Sequence, residues 1–155
     1  MVIFIEKMDP LLFLQTWINI FMKYKQITYY NTNGDLHRED GPAVVFANGY
    51  KAWWLNGERH REDGPAVIYA DGTQEWGING ELHREDGPAY ISADGTQEWW
   101  INGELHREDG PAIIYPDGTQ EWWVNNECYG NGDNPPQKYL DELKRVGIKF
   151  VRGKD

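Results

Sequence analysis

Short apolar runs and turn-forming dipeptides alternate along the chain from about residue 28 to residue 126. In one stretch, the runs at residues 66–70 and 74–78 flank Asp71-Gly72. Asn-Gly and Asp-Gly are typical of hairpin turns, because both tolerate the positive φ that a two-residue loop requires at its central positions. The pattern predicts a series of antiparallel hairpins, with strands at about 66–70 and 74–78 in this stretch and no helix between them.

The heptapeptide His-Arg-Glu-Asp-Gly-Pro-Ala divides this region into units of 23 residues. It begins at His37, His60, His83 and His106, without insertion or deletion between copies. A fixed period of this length is typical of stacked repeats, in which each unit buries its apolar face against its neighbours. One period before Trp53, residues 30–34 predict a half-unit in which Tyr30 takes the place of the first Trp. We therefore expect an all-β repeat fold.

The amino-terminal segment predicts a cap for the first sheet edge. Asp9 and Pro10 form a good helix start, and the apolar residues that follow recur at helical spacing, so we expect a helix over about residues 10–24. An interfacial membrane helix is the alternative, which the few Lys and Arg residues nearby do not favour. Residues 2–5 favour a short strand.

At the other end, the repeat pattern decays after Trp123. Asn134-Pro135 begins a predicted helix that stops at Gly147, and residues 148–151 favour a last short strand. We therefore expect one domain with three parts: an N-terminal helical cap (1–27), hairpin repeats (28–127) and a C-terminal helix–strand cap (128–155).

Negative charge is concentrated in the repeat region. The formal net charge of the chain is −10, and residues 31–127 hold 19 acidic and 6 basic side chains. Such a surface repels phosphate backbones and anionic lipids, so direct binding to nucleic acid or membrane is not expected. The charge either keeps a Trp-rich surface soluble or meets a partner protein with a basic surface.

The single cysteine and the amino terminus bear on location. One cysteine, Cys128, excludes an internal disulfide and favours a reducing, cytoplasmic compartment. Because Cys128 stands where other units have Leu82 or Leu105, it is expected to pack as a small residue. The first 22 residues lack the features of a signal peptide, and their apolar run is shorter than the roughly 20 residues of a membrane span.

The repeated His, Arg, Glu and Asp residues do not predict a catalytic or metal site. Two strands per unit place equivalent His residues about 10 Å apart, whereas zinc holds its ligands at about 2 Å. Nucleophile-elbow and phosphate-loop motifs are absent from the sequence. We expect no enzyme activity, metal or cofactor. Each His is predicted to pack over its turn and bond to backbone, while Arg pairs with Glu or Asp along the sheet.

Two rows of Trp side chains are expected on opposite faces of the second strand. The first Trp row is Trp53, Trp76, Trp99 and Trp122, and the second row is Trp54, Gly77, Trp100 and Trp123. Gly77 either makes room for a terminal helix or opens a notch for a partner side chain in an exposed Trp-lined groove. The candidate partner-binding residues are the second row together with Glu62, Asp63, Glu85, Asp86, Glu108 and Asp109.

The order Glu-Trp-Trp-Ile-Asn-Gly-Glu-Leu-His, Gly, apolar strand and Tyr-Pro-Asp-Gly resembles the MORN repeat over roughly residues 28–126. The chain departs from that pattern where Trp or Thr-Gln replaces Gly and where Arg-Glu-Asp-Gly-Pro replaces simple glycines. The resemblance implies an elongated, twisted antiparallel sheet of hairpins and a binding or scaffolding role. Some members have been linked to phospholipids, which the acidic charge argues against here.

Two functional hypotheses follow from the sequence. The first is a non-enzymatic protein-binding module or scaffold built on a rigid repeat sheet. The second is an acidic inhibitor or decoy that imitates phosphates in the basic groove of a nucleic-acid-binding complex, as in viral counter-defence. Steep loss of binding with salt would favour the decoy, and Trp-anchored binding would resist salt. Near-identical hairpins also leave edge strands that are compatible with a homodimer.

Overall fold

The computed structural model describes residues 26–151. They form mostly short β-strands, joined as hairpins in a large antiparallel sheet, and one helix near the carboxyl terminus. The predicted sheet of antiparallel hairpins and the C-terminal helix are therefore confirmed. The predicted N-terminal helix over residues 10–24 and the strand at residues 2–5 lie outside the described residues.

Ten strands follow one another across the main sheet, and each neighbouring pair is antiparallel. In order across the sheet they are β1 (Gln26–Thr28), β2 (Val44–Phe46), β3 (Lys51–Ala52), β6 (Val67–Ile68), β7 (Gln74–Glu75), β10 (Tyr90–Ile91), β11 (Gln97–Glu98), β14 (Ile113–Ile114), β15 (Gln120–Val124) and β16 (Glu127–Asn131). Three separate hairpins, here called minor hairpins, pair β4 (Trp54–Leu55) with β5 (Glu58–Arg59), β8 (Gly77–Ile78) with β9 (Glu81–Leu82), and β12 (Trp100–Ile101) with β13 (Glu104–Leu105).

The second predicted strand of a unit breaks at its first Trp. Residues 74–78 are predicted as one strand, but β7 ends at Glu75, and Gly77 pairs with Leu82 in a minor hairpin. Between them, the Trp76 N–H still donates in register to the Ala89 carbonyl at 2.7 Å, but the Trp76 carbonyl accepts from the His83 N–H at 3.1 Å, so the pairing changes from the main sheet to the minor hairpin at this residue. The strands are consequently shorter than predicted. In the last unit β15 stays continuous, with a bulge between Trp122 and Trp123.

Two kinds of turn connect these strands. At the Asn-Gly turns of the three minor hairpins both residues have positive φ, for example 50° at Asn56 and 83° at Gly57, as a two-residue type I′ hairpin requires. At the Asp-Gly turns only the glycine does, with φ 94° at Gly72, while Asp71 accepts the Thr73 N–H at 2.9 Å. The expectation of two positive φ angles is confirmed for the Asn-Gly turns of the minor hairpins. It is wrong for the Asp-Gly turns and for Asn48-Gly49, where the loop has three residues.

The half-unit before the first repeat is shifted by one residue. Arg38 lies 4.2 Å from the ring centroid of Tyr29, and the His37 N–H donates to the Tyr29 carbonyl. Tyr29, rather than the predicted Tyr30, therefore occupies the first Trp position. The physical reason is a longer loop, because eight residues separate Tyr29 from His37, whereas seven separate Trp53 from His60.

The C-terminal helix, α1 (Gln137–Arg145), closes one end of the sheet against β15 and β16. Its buried residues Tyr139 and Leu143 pack with Trp122, Val124 and Tyr129 in one apolar cluster. A second cluster, around Val44, Ala52 and Val67, lies further along the sheet.

The end of α1 agrees with the predicted stop. Gly147 has φ 82°, its N–H donates to the Lys144 carbonyl, and the Ile148 N–H reaches back to the Leu143 carbonyl, which together form a Schellman motif. Two other predictions here are wrong. Residues 148–151 form no strand, and Ile148 and Phe150 instead pack on the apolar cluster. Cys128 is exposed on β16 and does not pack as a buried residue.

Candidate functional site

Each repeated Arg is fixed over an aromatic ring. The guanidinium carbon lies 4.0 Å from the ring centroid for Arg61 on Trp53, and 4.3 Å for Arg84 on Trp76. Arg107 lies 4.0 Å above Trp99 in the same way. Cation–π contacts of this kind contribute about 0.5–1 kcal/mol at exposed sites. Each of these three rings therefore supports the turn that contains the Arg eight residues later in the chain.

Polar contacts hold the same Arg side chains inside their turns. Arg61 Nε donates to Asp63 Oδ1 at 2.8 Å, and its Nη1 donates to the Pro65 carbonyl at 3.3 Å. The glycine between Asp63 and Pro65 allows this conformation of the Arg61 side chain, because a Cβ at Gly64 would stand 2.9 Å from the Arg61 guanidinium carbon. Equivalent Arg–Asp–Pro contacts occur in the other three turns. We call the segments 38–41, 61–64, 84–87 and 107–110 the acidic turns.

These contacts correct the predicted pattern of ion pairs. Arg and Asp pair within a turn, two residues apart, rather than between neighbouring repeats. The hydrogen bond from Arg61 lowers the pKa of the Asp63 carboxyl below its ordinary value, and Asp40 and Asp86 show the same shift for the same reason. The Asp charges are thus balanced by Arg, whereas the Glu charges are not.

The Glu residues of the acidic turns point away from the fold. The side chains of Glu39, Glu62 and Glu85 are 84%, 85% and 87% exposed. Each makes an ionic contact with a His Nε2 at 3.7 to 4.0 Å, which is too long for a good hydrogen bond. Glu108 is the exception, 47% exposed and 3.2 Å from His106 Nε2.

The four His residues join one unit to the next. His37 Nδ1 accepts the backbone N–H of Asn56 at 3.1 Å, and His60, His83 and His106 accept from the Asn residue 19 positions on. The predicted hydrogen bond to backbone is confirmed, although the backbone belongs to the Asn-Gly turn that follows. At His60, His83 and His106 the same Nδ1 also lies 2.7 to 3.1 Å from the side-chain Oδ1 of that Asn.

A groove of about 1150 Å³ lies between the third and fourth acidic turns. Its walls carry Glu85, Asp86, Glu108 and Asp109, with Arg84, Arg107 and His106. Trp99, Ile101 and Ile114 supply apolar surface, and Gln97 and Gln120 supply amides. Four of the predicted partner-binding residues therefore come together around one concave surface, whereas Glu62 and Asp63 belong to the preceding turn.

The second Trp row does not line this groove. Trp100 and Trp123 are half-buried, and each donates its Nε1–H to the Glu two residues earlier, Glu98 at 2.8 Å and Glu121 at 2.9 Å. Trp54 Nε1 is buried without a partner among the described residues, because Ala52 stands where the acceptor would be. A binding role for Trp54, Trp100 and Trp123 stays a prediction.

The space beside Gly77 is bordered by an ion pair. Glu75 accepts from Arg59 Nη1 at 2.7 Å and from the Tyr69 hydroxyl at 2.8 Å. In the two later units the equivalent Glu accepts a hydrogen bond from the Trp two residues on. Gly77 stands at that Trp position and has no side chain, so Arg59 bonds to Glu75 in its place. Burial, and then the bond to Glu75, raises the pKa of Tyr69 to about 12. The described helix α1 packs on β15 and β16 and not here.

Sequence reasoning missed the stacking of Arg on Trp and the groove floor. An Arg eight residues after each of Trp53, Trp76 and Trp99 could have indicated the stacking. Gln97 and Gln120 carry no comparable sequence feature. Within residues 26–151, no cluster of three or more His, Cys, Asp or Glu side chains could hold a metal ion. In the same range no helix is long and apolar enough to cross a membrane.

Comparison with known proteins does not assign this chain to a family. The chain matches no protein-family model, and a search of curated proteins also finds no match. The resemblance to MORN repeats therefore stays a proposal.

Proposed function

We propose that the protein is a non-enzymatic protein-binding module whose acidic turns contact a partner with a basic surface. One observation carries this proposal: each turn holds its Arg and Asp in a fixed arrangement but leaves its Glu exposed. Glu39, Glu62 and Glu85 contribute little to the fold, since their side chains are 84% to 87% exposed. Their charge is therefore available to a partner.

The rigid mounting of these carboxylates favours recognition. Stacking on a Tyr or Trp ring and bonding to Asp and Pro fix each turn before binding, which reduces the entropy that a complex must lose. Complementary charge then raises the association rate and selects the partner. We further propose that the units stack as MORN-like repeats, which sets equivalent Glu residues about 10 Å apart at two strands per unit.

The acidic decoy is less well supported by the same geometry. Asp40, Asp63 and Asp86 are each paired with Arg at 2.7 or 2.8 Å, so one uncompensated carboxylate remains per turn. That leaves one charge per roughly 10 Å along the row, whereas duplex DNA carries one per about 1.7 Å. A close imitation of phosphates would need a denser row.

Selection from a phage-displayed random peptide library on the immobilised full chain tests the proposal. We expect Lys- and Arg-rich peptides to be enriched on the wild type and lost on the E39Q/E62Q/E85Q variant. The matched control is E58Q/E81Q/E104Q, which removes the same charge from exposed residues of the minor hairpins and should retain the peptides. Enrichment of peptides without basic residues, unaffected by the turn variant, would contradict the proposal.

A further inference from the structure

We propose that the groove between the third and fourth acidic turns binds an extended protein segment whose Lys or Arg side chains recur at every third residue. This inference rests on the proposed protein-binding function and names the partner's chemistry. It depends on three features of the groove: its uncompensated charge, the spacing of the turns and the amides on its floor.

The charge of the groove selects a cationic ligand. Arg84 and Arg107 lie in its wall, but each is bonded to its own Asp at 2.8 Å. Glu85 and Glu108 remain, and Glu85 is 87% exposed. A cationic side chain at each Glu would lie beside Trp99, Ile101 and Ile114, which offer apolar surface to the aliphatic part of Lys or Arg.

The spacing of the turns sets the spacing of the ligand charges. Two strands at about 4.8 Å separate Glu85 from Glu108 by roughly 10 Å. An extended segment in the polyproline II conformation advances about 3.1 Å per residue and has three residues per turn, so every third side chain lies on the same face at intervals of about 9 Å. A helix rises 1.5 Å per residue and would match it only at about seven residues.

The floor of the groove favours the extended chain over the helix. Gln97 and Gln120 line it on either side of Ile114, so their amide groups repeat with the same period as the turns. Gln120 Oε1 is buried and has no hydrogen-bond partner among the described residues. An extended segment carries free backbone N–H and C=O groups that can pair with such amides, whereas a helix satisfies its own backbone internally.

Fluorescence anisotropy with labelled synthetic peptides tests the inference on the full chain. Three probes share length and number of Arg residues: Arg at every third position, Arg in one contiguous block, and Arg at every seventh position in an Ala-rich helical background. Each is titrated against wild type, E85Q/E108Q and the control E81Q/E104Q. The two variants lose the same charge, but Glu81 and Glu104 lie outside the groove lining.

We expect the peptide with Arg at every third position to bind most tightly to the wild type. E85Q/E108Q should weaken it about five-fold, in line with two exposed ion pairs of about 0.5 kcal/mol each, and E81Q/E104Q should not. Tighter binding of the helical probe, or equal binding of all three probes with losses that follow only net charge, would overturn the inference. Equal binding would leave the proposed function standing. The proposed function itself fails only if the library selection fails.

Discussion

The arrangement of Arg61 over Gly64 makes a prediction that a double-mutant cycle can test. Arg61→Ala removes a stack at 4.0 Å on Trp53 and a hydrogen bond at 3.3 Å to the Pro65 carbonyl. At about 1 kcal/mol for each, the variant should lose about 2 kcal/mol of unfolding free energy. The ion pair to the exposed Asp63 is not counted, because solvent screens it.

Gly64→Ala should lower the unfolding free energy by much of the same amount, because it displaces the Arg61 side chain instead of removing it. Its Cβ would stand 2.9 Å from the Arg61 guanidinium carbon, so the guanidinium must leave its place. The backbone of Gly64 is outside the positive-φ region, so Ala itself is not strained there. In the Arg61→Ala background nothing is displaced, and Gly64→Ala should be neutral or slightly stabilising because it restricts the unfolded chain. The two changes should therefore be non-additive by about 1–2 kcal/mol.

Urea unfolding followed by Trp fluorescence measures all four proteins of this cycle. A loss of about 2 kcal/mol should lower the urea midpoint by roughly 1 M for a typical slope. Gly77→Ala is the matched control, because that buried glycine also has ordinary φ but its added Cβ would meet no atom closer than 3.4 Å. Equal costs of Gly64→Ala in the wild-type and Arg61→Ala backgrounds would refute the reasoning.

Three further predictions concern acid, the Gly77 position and the C-terminal cap. The Arg-bonded carboxyls of Asp40, Asp63 and Asp86 have pKa values below their unfolded value of about 3.9. Their contribution to stability is therefore present above that pH and lost as the pH falls through the folded pKa, so urea midpoints should drop below about pH 4. Replacing all three by Asn should flatten this drop, and an unchanged profile would contradict the assignment. Gly77→Trp should lower the thermal midpoint because the indole competes with Arg59 for Glu75, and adding Arg59→Leu should restore part of the loss. No recovery in the double variant would show that Arg59 does not fill this space. Tyr139→Phe removes a hydrogen bond of 2.6 Å to the Arg107 carbonyl and should cost about 1–2 kcal/mol in urea unfolding, whereas Tyr30→Phe, at an exposed ring, should cost almost nothing.

The local pattern of the chain was enough to predict the hairpins but not their division between the main sheet and the minor hairpins. Asn-Gly and the Schellman glycine are local features, so Asn56-Gly57 and Gly147 behave as predicted. The break at Trp76 is not local, because the N–H of this residue pairs with Ala89 of the next unit while its carbonyl pairs with His83. The one-residue shift at Tyr29 has the same origin, since the contact with Arg38 defines which ring is equivalent.

The candidate site was predictable in charge but not in arrangement. Glu85 and Glu108 stand out in the sequence as part of a repeated acidic motif, and both lie in the groove wall. Composition alone does not distinguish the Asp that Arg neutralises from the Glu that stays exposed, because the distinction depends on where the Arg side chain turns. The Gln floor was missed because Gln97 and Gln120 come to flank Ile114 only when their strands pair on either side of β14.

A single requirement explains both the acidic turns and the C-terminal helix: each ring of the first Trp row needs a cover. Trp53, Trp76 and Trp99 are each covered by the Arg that follows eight residues later. For Trp122 that position is Gly130, and the ring packs instead at 5.0 Å against Tyr139 of α1.

The same tyrosine ties the cover of the last ring to the last acidic turn. Its hydroxyl donates to the Arg107 carbonyl, and the Arg107 side chain is only 12% exposed, against 22% to 26% for its three counterparts. Helix α1 thus fixes the fourth turn more firmly than the others. Because that turn forms one wall of the groove, the helix that ends the sheet also holds the proposed binding surface in shape.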